Sequence, residues 1–183
     1  MKFTIAKLKD AYIIHLEPRR DQRGFFERLF CQKELAKIGL KKAIVQINYT
    51  LTLKKGTVRG MHYQNPPFAE GKIVTCLKGE VFDCLVDLRQ NSPTFLKWHG
   101  EILSEDNKKM IFIPEGFAHG LQTLKKNSQM LYFHTNSYNE GSEKRIKFDD
   151  PIIGIKWKLK VTEISAKDKN NPYLRKNFQG IKI

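Results

Sequence analysis

Short runs of β-branched and aromatic residues set the pattern of this chain: Ala11–Leu16 (AYIIHL), Ile44–Leu51 (IVQINYTL), Lys72–Leu77 (KIVTCL), Val81–Leu88 (VFDCLVDL), Met110–Pro114 (MIFIP) and Met130–Thr135 (MLYFHT). Each has the length and composition of a β-strand. Turn signals stand between them at Lys54-Lys55-Gly56, Lys78-Gly79, Glu105-Asp106-Asn107 and Lys125-Lys126-Asn127. Short strands at this spacing predict an antiparallel sandwich or barrel rather than alternating βαβ units. The one good helix candidate is Gln32–Ile38, with Gly39 placed to end it. No repeat, Pro-rich linker or low-complexity tract divides the chain, so residues 1–183 are expected to form a single domain. From Ser165 onward aliphatics thin out and breakers accumulate, a pattern that fits a loop, a short helix or a frayed end.

Composition narrows the setting. A chain of 183 residues is long enough for one substantial core, and 40% hydrophobic with 11% aromatic content excludes a disordered protein. No apolar run approaches the ~18 residues that span a bilayer, so no membrane partner is expected. Asp10 and repeated lysines interrupt the apolar stretch that an N-terminal secretory signal would need, which makes the cytoplasm the expected location. Cys31, Cys76 and Cys84 form no CxxC pair and are read as reduced, mostly core residues. The net charge of +14 favours anionic partners. Its lysines are spread along the chain without an Arg-rich helix, zinc finger or RNA-binding aromatic motif, so no nucleic-acid partner is expected.

Candidate chemistry concentrates in Gly56–Lys72, where Arg59, His62, Tyr63 and Lys72 fall around a strand, a Pro-Pro turn and the next strand. A second histidine, His119, follows Pro114 and Gly116 in a P-x-G-x-x-H arrangement similar to the second motif of cupins, in which the turn delivers the histidine into a barrel mouth. Cupin metal sites usually take two imidazoles from an HxH in the first motif. Here that segment reads His62-Tyr63-Gln64. Gln64 and Glu70 still offer oxygen ligands to a harder metal. On the residues alone, a metal-dependent cupin isomerase or oxygenase and a non-catalytic barrel binding sugar or nucleic acid both stay open.

Seven motifs in order resemble the dTDP-4-dehydrorhamnose 3,5-epimerases nearly end to end. They are Asp21–Phe26 (DQRGFF), Gln46–Asn48 (QIN), Gly56–Gln64 (GTVRGMHYQ), Val81–Arg89 (VFDCLVDLR) followed by Ser92–Thr94 (SPT), Ile113–Gly120 (IPEGFAHG), Asp150-Pro151 and Ile164–Asp168 (ISAKD). The resemblance implies an all-β, cupin-type antiparallel barrel or jelly roll with short peripheral helices. It also implies epimerisation at C3 and/or C5 of a nucleotide-diphosphate-linked 4-keto-6-deoxyhexose, in a homodimer whose N-terminal strands reach a neighbouring site. A proton beside a ketone is removable when a base is placed on it and the enolate oxygen is stabilised, and inversion needs a second group on the opposite face. The family pattern maps the base onto His62, the acid onto Tyr132, enolate stabilisation onto Lys72 and the carboxylate that holds the base onto Asp168. It maps the diphosphate contact onto Arg59, a further phosphate contact onto Arg23, and cavity residues that contact the sugar or support the base onto Gln46, Asn48 and His119; Phe26 and Tyr138 are further substrate-binding candidates. The ketone supplies its own electron sink, so no cofactor and no metal are expected.

Taken singly, these residues have plainer explanations. Tyr132 reads as a routine strand aromatic, Lys72 as an exposed strand edge, Tyr138 equally as turn packing or as a nucleotide-base platform. His15, His99 and His134 are read as ordinary structural or surface residues. Strict alternation puts Arg59 and His62 on opposite strand faces, because their separation is odd, unless Gly60 admits a bulge. The family's thymidine-specific members commonly carry a glutamate five positions after the first-motif arginine. Here Arg28 stands at that position and Glu27 precedes it.

Overall fold

The computed structural model describes residues 1–183. The N-terminal part contains β1 (Lys2–Ile5), β2 (Tyr12–His15), a small ribbon of β3 (Arg19–Asp21) and β4 (Gly24–Phe26), then α1 (Gln32–Leu35), which runs into a 3-10 turn at Ala36–Ile38. The body follows as β5 (Gln46–Thr52), β6 (Thr57–Gln64), β7 (Lys72–Lys78), β8 (Glu80–Asp87), β9 (Trp98–Ser104), β10 (Lys109–Ile113), β11 (Phe117–Thr123) and β12 (Ser128–His134). The C-terminal part adds β13 (Glu143–Arg145), β14 (Glu163–Ile164) and α2 (Ala166–Lys169).

Two large sheets face one another. One has the order β1-β2-β10-β7-β12-β5, the other β13-β6-β11-β8-β9, and β14 joins β6 in parallel as an exception to otherwise antiparallel pairing within these sheets. This is the cupin-like jelly roll of the sequence expectation. Inward positions alternate strictly on most strands: Val74 and Cys76 on β7, Met130 on β12, Val81 and Leu85 on β8, and Phe117 and Leu121 on β11 meet in the cluster between the sheets. The intervening residues serve two outer clusters. Ile73, Met110, Phe112 and Phe133 are covered by Leu35, Ile38 and Leu40 around α1. Phe82, Cys84, Val86 and Ala118 are covered by Ile146, Ile153, Ile155 and Ile181. Full burial of one such aliphatic is worth ~1.5–3 kcal/mol, against ~0.2–1 kcal/mol for a cross-strand pair, so these three layers rather than strand pairing dominate the stability.

The helix candidate falls where expected, and Gly39 ends it at φ +95°. The six anticipated strands are present with ends shifted by at most two residues. β6 and β11 were not among the apolar runs because glycines and polar site residues interrupt them. The C-terminal segment resolves into a short helix: the Ser165 side chain accepts the Asp168 N–H at 3.0 Å and caps α2.

Candidate active site

The polar cavity lies between the two sheets, and the same alternation that builds the core lines it. On β5, β7 and β12 the even-numbered residues point inward, so Asn48, Thr50, Lys72, Tyr132 and His134 face Arg59, His62 and His119 from the opposite sheet across a volume of about 260 Å³. Tyr132 has Asn48 as its register partner on one side and Val74 on the other.

Arg59 and His62 do line one cavity, despite their odd separation. The pairing of β6 with β11 slips between His119 and Leu121: His119 stands opposite His62, and Leu121 opposite Arg59. The slip centres on Gly60 and Gly120. Gly60 has φ +121°, and a Cβ there would lie 2.6 Å from the Gly120 Cα and 2.8 Å from the His119 carbonyl. Only glycine fits that conformation and that approach.

His62 Nε2 lies 2.6 Å from Asp168 Oδ1. The imidazole is 37% exposed to the cavity while the carboxylate is 7% exposed, so the ring is open to a ligand and its partner is hidden. Asp168 Oδ2 accepts the Gly60 N–H at 3.3 Å. Burial works against charge on Asp168, but the His62 hydrogen bond and the Gly60 N–H outweigh it and hold the carboxyl below its ordinary value. An ionised carboxylate only accepts, so Nε2 carries the ring proton and Nδ1 is left as the basic nitrogen. No sequence-local rule connects Asp168 to His62. β14 lies along Thr57 and Val58, and the capped turn that follows brings Asp168 beneath Gly60.

From the other sheet, Tyr132 stands edge-on to His119 at 6.2 Å between ring centroids and stacks on His134, also at 6.2 Å. Burial, reinforced by the Asp83 charge, pushes its phenol well above the ordinary value, so it is protonated at neutral pH. His119 Nε2 is 2.7 Å from Asp83 Oδ2, a second imidazole–carboxylate pair and, unlike the first, a buried one. Lys72 Nζ is 2.7 Å from Glu70 Oε1, and Glu70 Oε2 is 2.7 Å from His134 Nδ1. Arg59 Nε donates to Thr52 Oγ1 at 2.9 Å. Nowhere do three His, Cys, Asp or Glu side chains converge as metal ligands.

His62, Lys72, Tyr132, Asp168, Asn48, Arg59, His119 and Tyr138 thus all line the cavity. Gln46 does not; it stands at the rim and accepts the Tyr138 N–H at 3.0 Å, while the Tyr138 hydroxyl donates to Glu143 Oε2 at 3.0 Å. Arg23 and Phe26 lie away from it on the β3–β4 ribbon. Arg23 is 89% exposed and paired with Asp21 at 2.6 Å. Lys72 is buried against Glu70, not on an exposed edge as its strand-end position suggests. His134 corrects a second expectation, because it is part of the cavity wall and not an ordinary structural or surface histidine. Asp83 and Glu143 were missed as well; the even spacing from Asp83 to Leu85 and Asp87 on one strand face was the available signal for the first. Arg28 pairs with Glu34 at 2.6 Å, and Glu27 lies 3.7 Å from Lys108, both outside the cavity.

Comparison with known proteins meets this geometry. The dTDP-4-dehydrorhamnose 3,5-epimerase family matches residues 5–176. The epimerase of that name from Sinorhizobium fredii is 40% identical over 187 aligned positions, covering 100% of this chain and 96% of the relative. Its counterpart crystallised from Elizabethkingia anophelis superimposes with a TM-score of 0.92 at 38% identity, over 97% of this chain and 98% of the other. A Legionella pneumophila dTDP-6-deoxy-D-glucose-3,5-epimerase, solved in complex with dTDP-4-keto-L-rhamnose, gives 0.89 at 38% identity, over 94% and 92%. With the motifs in order and the match running through both sheets, the chain belongs to the dTDP-4-dehydrorhamnose 3,5-epimerase family.

Proposed function

We propose that this chain, acting as one domain, epimerises C3 and/or C5 of a dTDP-linked 4-keto-6-deoxyhexose without metal or cofactor. The observation that carries the reading is the pairing of an open, carboxylate-held imidazole on one sheet with a half-buried, protonated phenol on the other, across one cavity. His62 Nδ1 takes the proton from the carbon beside the ketone. Lys72 donates to the oxygen as the enolate forms. Tyr132 returns a proton from the opposite face, and its raised proton affinity keeps it loaded for that step. Arg59 contacts the diphosphate, Asn48 and His119 the sugar, and Tyr138, fixed through Gln46 and Glu143, the nucleotide at the rim. The Legionella complex supports a nucleotide-sugar ligand in this family.

The working unit on this reading is a cytoplasmic homodimer. Val45, Ile47, Tyr49, Leu51 and Leu53 form an outward stripe along β5, an edge strand, each 44–63% exposed. Such a stripe calls for a cover. A second copy covers it and brings Arg23 and Phe26 to the neighbouring cavity. The test of the chemistry uses dTDP-4-keto-6-deoxyglucose in deuterated water, followed by proton NMR. His62→Ala abolishes deuterium uptake. Tyr132→Phe allows uptake with retention, because His62 returns a solvent-derived deuteron to the face it came from. Native uptake rates in folded His62→Ala would remove His62 as the base.

A further inference from the structure

Glu70 and His134 have no role in the scheme above, yet they occupy the cavity wall beside Lys72. The three residues are held together by the sheet. His134 lies directly between Lys72 on β7 and Gln46 on β5 as register partners, and Glu70 sits two positions before Lys72 at the entry to β7. Both carboxylate oxygens of Glu70 are engaged, Oε1 with Lys72 Nζ at 2.7 Å and Oε2 with His134 Nδ1 at 2.7 Å. Beyond it, Asn48 Nδ2 stands 3.3 Å from His134 Nε2.

Protonation follows from donor and acceptor counting. Burial opposes charge on Glu70, but the His134 hydrogen bond and the Lys72 charge bring it down to about 2, so it is a carboxylate and only accepts. His134 Nδ1 therefore carries a proton, and the Asn48 amide nitrogen facing Nε2 makes that atom the acceptor. Glu70 and Lys72 form a carboxylate–ammonium pair with side chains 10% and 9% exposed. An ammonium buried this deeply is costly without a counter-charge, and a flexible lysine stem does not aim itself. Glu70 takes one of the three Nζ–H donors and leaves two for the cavity.

We propose that Glu70 and His134 are positioning residues, a locked carboxylate–imidazole pair that aims the Lys72 ammonium at the developing enolate oxygen. This rests on the role given to Lys72 above. His134 acts at one remove: it fixes the carboxylate plane from the far oxygen, and Asn48 fixes the ring.

The signature separates aiming from mere stability. The enolate is common to proton removal and return, so losing its stabiliser slows deuterium uptake and inversion in the same proportion. Glu70→Gln is expected to lower kcat about 10- to 100-fold, the loss of one charge-assisted hydrogen bond, with KM for the nucleotide sugar within about twofold. His134→Phe, which cannot donate, falls in the same direction. His134→Asn, whose Nδ2 stands where Nδ1 stood, recovers most of that loss. Lys72→Met sets the floor, and adding Glu70→Gln to it lowers kcat no further.

Circular dichroism and a thermal midpoint accompany each variant. Should Glu70→Gln misfold, the His134→Phe and His134→Asn pair decides alone. Folded Glu70→Gln with native kcat, equal kcat in the two His134 variants, or additive losses in the double variant would each overturn the proposal. Native activity in Lys72→Met would instead remove the role of Lys72 itself, a distinct failure of the underlying reading.

Discussion

Asp168→Asn replaces one oxygen with an amide nitrogen at a point where neither oxygen can be spared. Oδ1 accepts from His62 Nε2 at 2.6 Å and Oδ2 from the Gly60 N–H at 3.3 Å. If the amide nitrogen turns toward Gly60, it sets a donor against a donor. If it turns toward His62, Nε2 must become the acceptor, the ring proton moves to Nδ1, and the basic nitrogen disappears from the cavity. In both orientations the negative charge that stabilises the imidazolium is lost. A hydrogen bond to a charged group is worth ~1.5–3 kcal/mol, which converts to a fall of about 10- to 150-fold in the rate of proton removal. The assay is deuterium uptake in deuterated water at saturating substrate, beside dTDP affinity by calorimetry and circular dichroism. Uptake falls by that factor while dTDP affinity stays within about twofold, because the carboxylate lies against His62 and Gly60 and not at the Tyr138 rim. A folded Asp168→Asn protein with native uptake would refute the claim that this carboxylate sets the His62 tautomer.

Three further outcomes follow from the same geometry. Gly60→Ala forces a Cβ against the Gly120 backbone at φ +121°, and a backbone outlier of that kind costs ~1–3 kcal/mol; calorimetry should show the midpoint lowered by about 2–10 °C and uptake reduced as Arg59 and His62 part. Activity survives dialysis against a chelator and is not raised by added divalent metal; loss on chelation with recovery on metal addition would overturn the metal-free chemistry. The chain sediments as a dimer at micromolar concentration, and Ile47→Lys with Leu51→Lys, two charges on the exposed face of β5, yields a monomer with reduced activity. A fully active monomer would show that Arg23 and Phe26 complete no neighbour's site.

The sequence by itself determined the strands whose apolar residues run unbroken, the helix that Gly39 ends, and the residue types that the chemistry needs. Those are local properties. A bounded run of β-branched and apolar residues writes a strand such as Lys72–Lys78 directly into the chain, and the ordered motifs named the family together with most of the cavity residues. Tertiary structure decided which of them meet. Asp168 reaches His62 across 106 positions because a parallel strand and a capped turn deliver it there, and no periodicity encodes such a contact. Arg59 and His62 share a cavity only through a register slip between two strands, with glycines on both. Lys72, Glu70 and His134 show the limit most plainly. A lysine at the start of a strand, a glutamate in a loop and a histidine at a strand's end each look unremarkable alone, and only sheet pairing, which sets β12 beside β7, turns them into one buried polar network.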